Sequence, residues 1–327
     1  MKRRTFFAQI GAAAAAWPTP MRAEGSDAKP LIGWVAGGTQ ANATRLFGYV
    51  KEGLAELGWV EGRNFASAAR FAEARPERLP GLAAEMVRLK PALIVAGAVD
   101  AAVALKTLTA TIPIVSAFLA DAVHLGLIAS NAHPGGNVTG ITPYIDGLPA
   151  KQLELARQIV PGATRIGIIG NMNDPKAPAQ RFELEAAARE LGVRLVAPEV
   201  REPEDIATAM EALAHERVEV VIVMQTSMLV SERRQIAILA AAKRLPSIYG
   251  YREHVDDGGL VSYGVNMRWC CRRLATFVHK ILNGASPADL PVEFPTNVEM
   301  VVNQKTARAL GLSIPALLLS RADEVIE

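Results

Sequence analysis

The sequence predicts an α/β protein built as two doubly wound parallel-sheet lobes joined by a three-crossing hinge. Three observations carry this. At 327 residues the chain exceeds what one hydrophobic core usually organises. Short apolar runs alternate with helix-patterned segments from residue 31 onward, the signature of βαβ units on a parallel sheet. The rhythm is interrupted at His133-Pro134-Gly135-Gly136-Asn137 and then starts again.

Residues 1–23 stand apart from that rhythm. Basic Lys2, Arg3 and Arg4, an Ala-rich apolar run, and then Pro18, Pro20 and Ala23 have the build of an export signal cleaved near Ala23. Arg3-Arg4 followed by Thr5-Phe6-Phe7 resembles a twin-arginine leader. The apolar run is short of the ~20 residues that span a bilayer. Removing the segment removes four cations and no acid, so the formal charge falls from +2 to −2. No basic patch with interleaved aromatics is left, which argues against nucleic acid as a partner.

Residues 31–35 read as a strand, 44–57 as a helix closed by Gly58, and 65–70 as a second strand. Residues 76–89 form an amphipathic helix, with Leu79, Leu82, Ala83, Met86 and Val87 on one face. Strand 92–96, helix 101–108, strand 112–116 and helix 123–132 complete the first unit. Pro134 stops that last helix, Gly135 and Gly136 predict a tight turn, and 138–141 suffices for one buried strand before the chain leaves by Pro143.

The second unit reads as helix 150–159, strand 165–169, helix 178–191 closed by Gly192, strand 194–197, helix 204–215, strand 218–224, helix 231–243 and strand 247–249. Leu57-Gly58 has its counterpart in Leu191-Gly192, and Ile112-Pro113-Ile114-Val115 in Leu245-Pro246-Ser247-Ile248. Strand 260–263, helix 268–282, strand 298–303 and helix 305–310 follow. Linkers at 264–266 and 287–291 return the chain between lobes, so the hinge is expected at Gly135, Gly136, Pro143, Gly264 and Pro291. The lobes then comprise 30–142 plus 266–290 and 143–265 plus 291–327.

Open parallel sheets bind ligands beyond the carboxyl ends of their strands. In the first unit those ends carry Thr39, Gln40, Ala98, Val99, Asp100 and Asp121; in the second, Asn171, Asn173, Gln225, Thr226, Ser227, Tyr249 and Glu253. The helices that follow offer free N–H groups to an anionic group. Asp100 and Asp121 are the acids placed to meet a ligand amine. Thr39, Asn171, Asn173, Thr226 and Ser227 serve equally well as plain helix caps. Tyr144, Tyr249, Tyr251 and Tyr263 would wall an apolar ligand, against the alternative of a core role.

Motifs for chemistry are missing. No GxxxxGK[ST] occurs, so the chain is not itself a P-loop ATPase, and no GxSxG elbow occurs. The glycines at Gly33, Gly37 and Gly38 lack the spacing of a dinucleotide fingerprint, and no cofactor is expected. His124, His133, His215, His254 and His279 form no i, i+4 pair, so no metal site is expected. Glu253 and His254, adjacent in an extended chain, point apart. Cys270 and Cys271 are neighbours whose Cα atoms, about 3.8 Å apart, fall short of disulfide geometry. An exported chain without disulfides suits a bacterial periplasm.

The segments LAELGWVEGRN (54–64), HPGGNVTG (133–140), GGLVSYG (258–264), PADLPVE (287–293) and RADEVI (321–326) run through the chain in order. On them the chain resembles the exported substrate-binding proteins of ABC transporters, in the tryptophan-binding-like group with a type I periplasmic-binding fold. The resemblance implies a periplasmic, monomeric, non-enzymatic receptor. It would capture a small polar or amphipathic metabolite, amino-acid-like or a carboxylate, and deliver it to a permease and ATPase encoded elsewhere. An exported sensor subunit is the alternative, followed by an exported enzyme using the Glu253 and Asp121 carboxylates. The chain departs from the family at Ala98-Val99-Asp100, where Gly-Thr-Pro is usual: a hydroxyl is lost and a charge gained. Asp121 keeps the family's acid, and Trp269 replaces the usual acid before Arg272 and Arg273.

Overall fold

The structure, a computed structural model, describes residues 29–327 apart from Tyr144, Pro175 and Asn297. The first sheet is all parallel, in the order β2-β1-β3-β4-β5. Its strands are β1 (Leu31–Ala36), β2 (Ala66–Phe71), β3 (Leu93–Ala96), β4 (Ile114–Ser116) and β5 (Val138–Gly140). The continuous apolar runs of β1 and β3 are buried on both faces, whereas β2, at the rim, is half-exposed. Its crossover helices are α1 (Gln40–Glu56), α2 (Leu79–Arg88) and α3 (Val99–Lys106).

The second sheet holds β6 (Arg165–Ile169), β7 (Arg194–Val196), β8 (Val220–Val223), β9 (Ser247–Tyr249), β10 (Val261–Val265), β11 (Val298–Asn303) and β12 (Glu324–Ile326), in the order β12-β11-β10-β9-β8-β6-β7. Around it lie α4 (Leu148–Ile159), α5 (Ala177–Leu191), α6 (Asp205–His215), α7 (Ser227–Ser231), α8 (Arg233–Ala242) and α9 (Arg252–Asp256). The chain continues as α10 (Met267–Leu282), α11 (Gln304–Leu310) and α12 (Ala316–Arg321). Helix α10 does not pack on the second sheet: it lies along α1, and Cys270, Leu274 and Val278 join Trp34, Phe47 and Leu54 in the first lobe's core. Because the chain re-enters the second sheet after that excursion, β11 runs antiparallel to β10, with Val261 opposite Val302.

The structure corrects four expectations. The helix expected over 123–132 is a single turn, in which the Leu125 and Leu127 N–H groups reach the Asp121 and Ala122 carbonyls at 3.1 and 2.9 Å; Gly126, at φ +66°, ends it. The helix expected over 231–243 breaks at Glu232 into α7 and α8. Glu253 and His254, expected in extended chain, lie in α9, and 316–326 adds α12 and β12. Gly135 and Gly136 precede β5, at the rim of the sheet away from the strand ends; the Gly135 N–H binds the Ala288 carbonyl at 3.2 Å.

The chain leaves the first sheet at Gly140 instead, at φ +149° against the Ser116 carbonyl, where no larger residue fits. There Ile141 bridges Glu293, and the Thr142 N–H bonds the Glu293 carbonyl at 2.9 Å. Two crossing segments are thus tied side by side. Pro143 is buried just past this point and Pro291 is exposed just before it. Gly264 lies within β10, packed on the Gly250 carbonyl. Among the described residues, no helix is long and apolar enough to cross a membrane.

Candidate ligand-binding cleft

The strand ends of the two sheets face one another across a cavity of about 570 Å³, open solvent at its mouth included. Leu46, Phe47, Phe118 and Met267 from the first lobe, with Val230 and Tyr251 from the second, supply an apolar wall. Val230 and Tyr251 belong to the same buried cluster as Phe47, Phe118 and Met267, so the wall continues the first lobe's core across the cleft. The lobes approach closely at Gly38, where an added methyl group would lie 3.2 Å from the Ser231 hydroxyl.

The corner Gly37-Gly38 forms the floor and is held from behind. The Glu73 and Ala74 N–H groups bond the Gly38 and Gly37 carbonyls at 3.2 and 2.9 Å. Both residues take left-handed backbone angles, φ +57° and +58°, a strained arrangement for non-glycine residues. Thr39 caps α1, its hydroxyl accepting from the Asn42 N–H at 3.4 Å, and Glu73 accepts from the Gln40 N–H at 3.1 Å. Asn42 lines the cavity, with its Oδ1 taken by the Arg45 guanidinium at 3.1 Å, which turns the amide N–H side away from that contact.

Charge collects at the polar end. Asp100, in the first turn of α3, accepts the Ala101 N–H through Oδ1 at 2.8 Å, while Oδ2 crowds the space left by Gly37. Burial pushes the Asp100 carboxyl up; the Asp174 charge adds to this, and the Ala101 N–H and the Lys176 ammonium oppose it. Across the cleft, Asp174 ties down the turn after β6, accepting the Lys176 N–H at 3.0 Å and the Ser227 N–H at 2.9 Å. The Lys176 Nζ sits 3.8 Å from the Asp174 Oδ2. Burial alone would lower the Lys176 ammonium, but the fields of Asp174, Tyr251 and Asp100 oppose it and leave the pKa raised. Thr226 is fully buried on the cavity wall, and its hydroxyl has no partner among the described residues.

Of the residues the sequence singled out, Ala98, Asp100, Thr226, Ser227 and Tyr251 line this cavity. Val99, Asn171 and Asn173 line an adjoining space of about 720 Å³ that shares Gly37, Gly38 and Asp100 with it. Thr39 is the α1 cap, and Gln40 is exposed. Asp121 is exposed on its turn at φ +53°. Gln225 is buried and spent on the Gly250 carbonyl and on Gln180. Tyr249 is a core residue whose ring stacks on His254, centroids 4.7 Å apart. Glu253 is buried in α9 and lines neither space. Asp121 and Glu253 therefore do not share a site. Tyr144 and the leader residues 1–23 lie outside the described residues. Sequence reasoning missed Asn42, Phe47, Phe118, Asp174 and Lys176; the available signal was an ion pair set directly beyond Asn171 and Asn173.

Residues 42–326 match the family model described as ABC transporter substrate binding protein. The chain belongs to that family. It is similar to the tyrosine-binding protein of Clostridioides difficile, 26% identical over 265 residues, covering 81% of this chain and 76% of that one. Among solved structures it resembles the ABC domain from Streptococcus pneumonia in complex with L-Trp, with a TM-score of 0.84 at 23% identity over 91% of this chain and 100% of that one. A conserved domain protein from Vibrio cholerae matches with a TM-score of 0.85 at 25% identity, over 91% and 99% of the two chains. The ligand-free, open structure of a substrate binding protein from Clostridium difficile gives 0.66 at 23% identity, again over 91% and 99%. These matches show the type I periplasmic-binding fold. Family members are extracellular or periplasmic binding proteins, and their task is to hold a small-molecule ligand.

Proposed function

We propose that this chain is the capture component of an ABC-type uptake system and that it closes around one amphipathic metabolite of about amino-acid size. The cleft carries the reading: an apolar wall continuous with the core faces a polar end made by Asp100, Lys176 and Thr226 from both lobes. A ligand touching both lobes favours the closed state by population shift. The names of the tyrosine-binding relative and the L-Trp complex support the ligand's size, and the higher TM-score with the L-Trp complex than with the open, ligand-free structure agrees with a closed cleft. The moving bodies are residues 30–142 plus 266–290 and residues 143–265 plus 291–327. The chain acts as a non-catalytic periplasmic monomer after removal of residues 1–23, and it hands its ligand to a permease and ATPase encoded elsewhere.

The test is mass spectrometry of what co-purifies with the protein under native conditions, followed by a thermal-shift panel of amino acids, amines and small carboxylates. A true ligand at a hundred times its Kd adds about 2.7 kcal/mol of stability, a rise of roughly 5 °C or more in a chain of this size. If nothing co-purifies and no compound raises the melting temperature, the receptor reading falls.

A further inference from the structure

The charged groups around the cleft do not balance. Lys176 is matched within its own lobe by Asp174, at 3.8 Å. Asp100, on the opposite wall, has no cation within ion-pair distance among the described residues, yet it is buried and its Oδ2 borders the cavity at Gly37. Arg45 lies behind Asn42, whose Oδ1 its guanidinium bonds at 3.1 Å, and does not itself line the cavity. The acidic and basic side chains lining the cavity and the space that adjoins it are Asp100, Asp174 and Lys176, two acids and one base.

A buried carboxylate without a counter-charge is costly, and the cost disappears when a cation arrives against it. We infer that the ligand is a cationic amine with an apolar body, its ammonium seated on Asp100 and its body against Phe47, Phe118 and Tyr251. This inference rests on the receptor reading and narrows it. An α-amino acid would bring a carboxylate of its own into a space whose base is already paired, leaving two acids and the ligand's carboxylate to share Lys176 and the ligand's ammonium. An amine leaves the set neutral. The unpartnered Thr226 hydroxyl on the same wall offers an acceptor for a second ammonium proton. Specificity would then come from repulsion of the carboxylate as much as from attraction of the amine.

Matched probes decide the question. Titration calorimetry on the full chain would compare 2-phenylethylamine, phenylalanine and 3-phenylpropionate, and then isopentylamine, leucine and 4-methylpentanoate. Within at least one series the amine is expected to bind ten-fold or more tightly than the amino acid, with the carboxylate weakest. Asp100→Asn keeps the acceptor for the Ala101 N–H; it is expected to weaken amine binding ten-fold or more and to erase the ranking, while the unliganded protein melts no lower than the wild type. An amino acid or carboxylate that binds as tightly as its amine overturns the inference, as does an Asp100→Asn protein with undiminished amine affinity. So does failure of both amines to bind. None of these results touches the receptor reading, which falls only if nothing co-purifies and no compound raises the melting temperature. The ranking in the wild-type chain decides even if the variant fails to fold.

Discussion

His254 is the clearest case of a single side chain setting a bulk property. It is fully buried in α9 and stacked on Tyr249. Burial is the main reason its pKa is lowered to about 3, opposed by the nearby Tyr251 and Leu229 backbone, which favours the charged ring. In the unfolded chain the imidazole takes up a proton near pH 6.5. Between those values the unfolded state binds the proton and the folded state does not. Stability from this residue is therefore complete above about pH 6.5 and is lost as pH falls toward 3, at up to about 1.4 kcal/mol per pH unit. A His254→Leu protein should show a flatter decline of melting temperature between pH 7 and pH 4 than the wild type. Parallel profiles would remove His254 as a source of acid lability. The neighbouring Glu253 works the other way, since burial raises its carboxyl, and only the difference between the two proteins isolates the histidine.

The pair α1 and α10 shows how far elements can be read from sequence. Both helices were legible: Asn266 caps α10 through a 2.8 Å bond from the Trp269 N–H, Asn283 and Gly284 follow its end, and apolar residues recur along one face. The return of 266–290 to the first lobe is expected from the sequence, but its pairing with α1 is not legible, because which two helix faces meet depends on contacts more than 200 residues apart. Glu52 receives Arg268 and Arg272 at 3.0 and 2.9 Å, and at Gly53 the backbones come so close that a methyl group would sit 2.6 Å from the Arg272 carbonyl. Gly53→Leu should therefore separate the helices and cost about 1–3 kcal/mol, seen as an earlier denaturation midpoint at unchanged slope. A midpoint equal to wild type would mean the helices slide apart freely.

The same logic explains what else was hidden. The alternation of strand and helix is a local pattern and was read correctly across most of the chain, whereas the helix expected over 123–132 failed on one residue, Gly126, whose effect needs the actual backbone angle. Asp100 and Thr226 were found because they follow strands directly. Lys176 escapes sequence reasoning because lysine is rarely buried, and only the fold brings its ammonium back to within 3.8 Å of Asp174.

For the whole molecule, one contact between the lobes offers a test of closure. Gly38 approaches Ser231 without a side chain to intervene. Gly38→Leu should hold the cleft ajar: X-ray scattering should give a larger radius of gyration, and ligand binding should weaken at least ten-fold while the melting temperature of the unliganded protein changes little. An unchanged radius with full affinity would show that closure does not pass through this contact. The opposite edge, where Ile141 bridges Glu293, is expected to stay joined throughout, since its two strands bend together.

The paired cysteines have a use at this scale. Cys270 and Cys271 are unbonded and buried in the α10 face that meets α1. Burial pushes the Cys270 thiol up to about 12 and the Cys271 thiol well above its usual value. Only the thiolate attacks electrophiles, so at neutral pH a maleimide dye finds nothing to label in the native chain. Cysteines introduced at Leu108, on the first lobe, and at Phe182, on the second, both exposed, would carry donor and acceptor dyes without any native residue being replaced to prevent background. The chain is thereby ready-made as an optical sensor, in which each opening and shutting of the receptor is read as a change of colour.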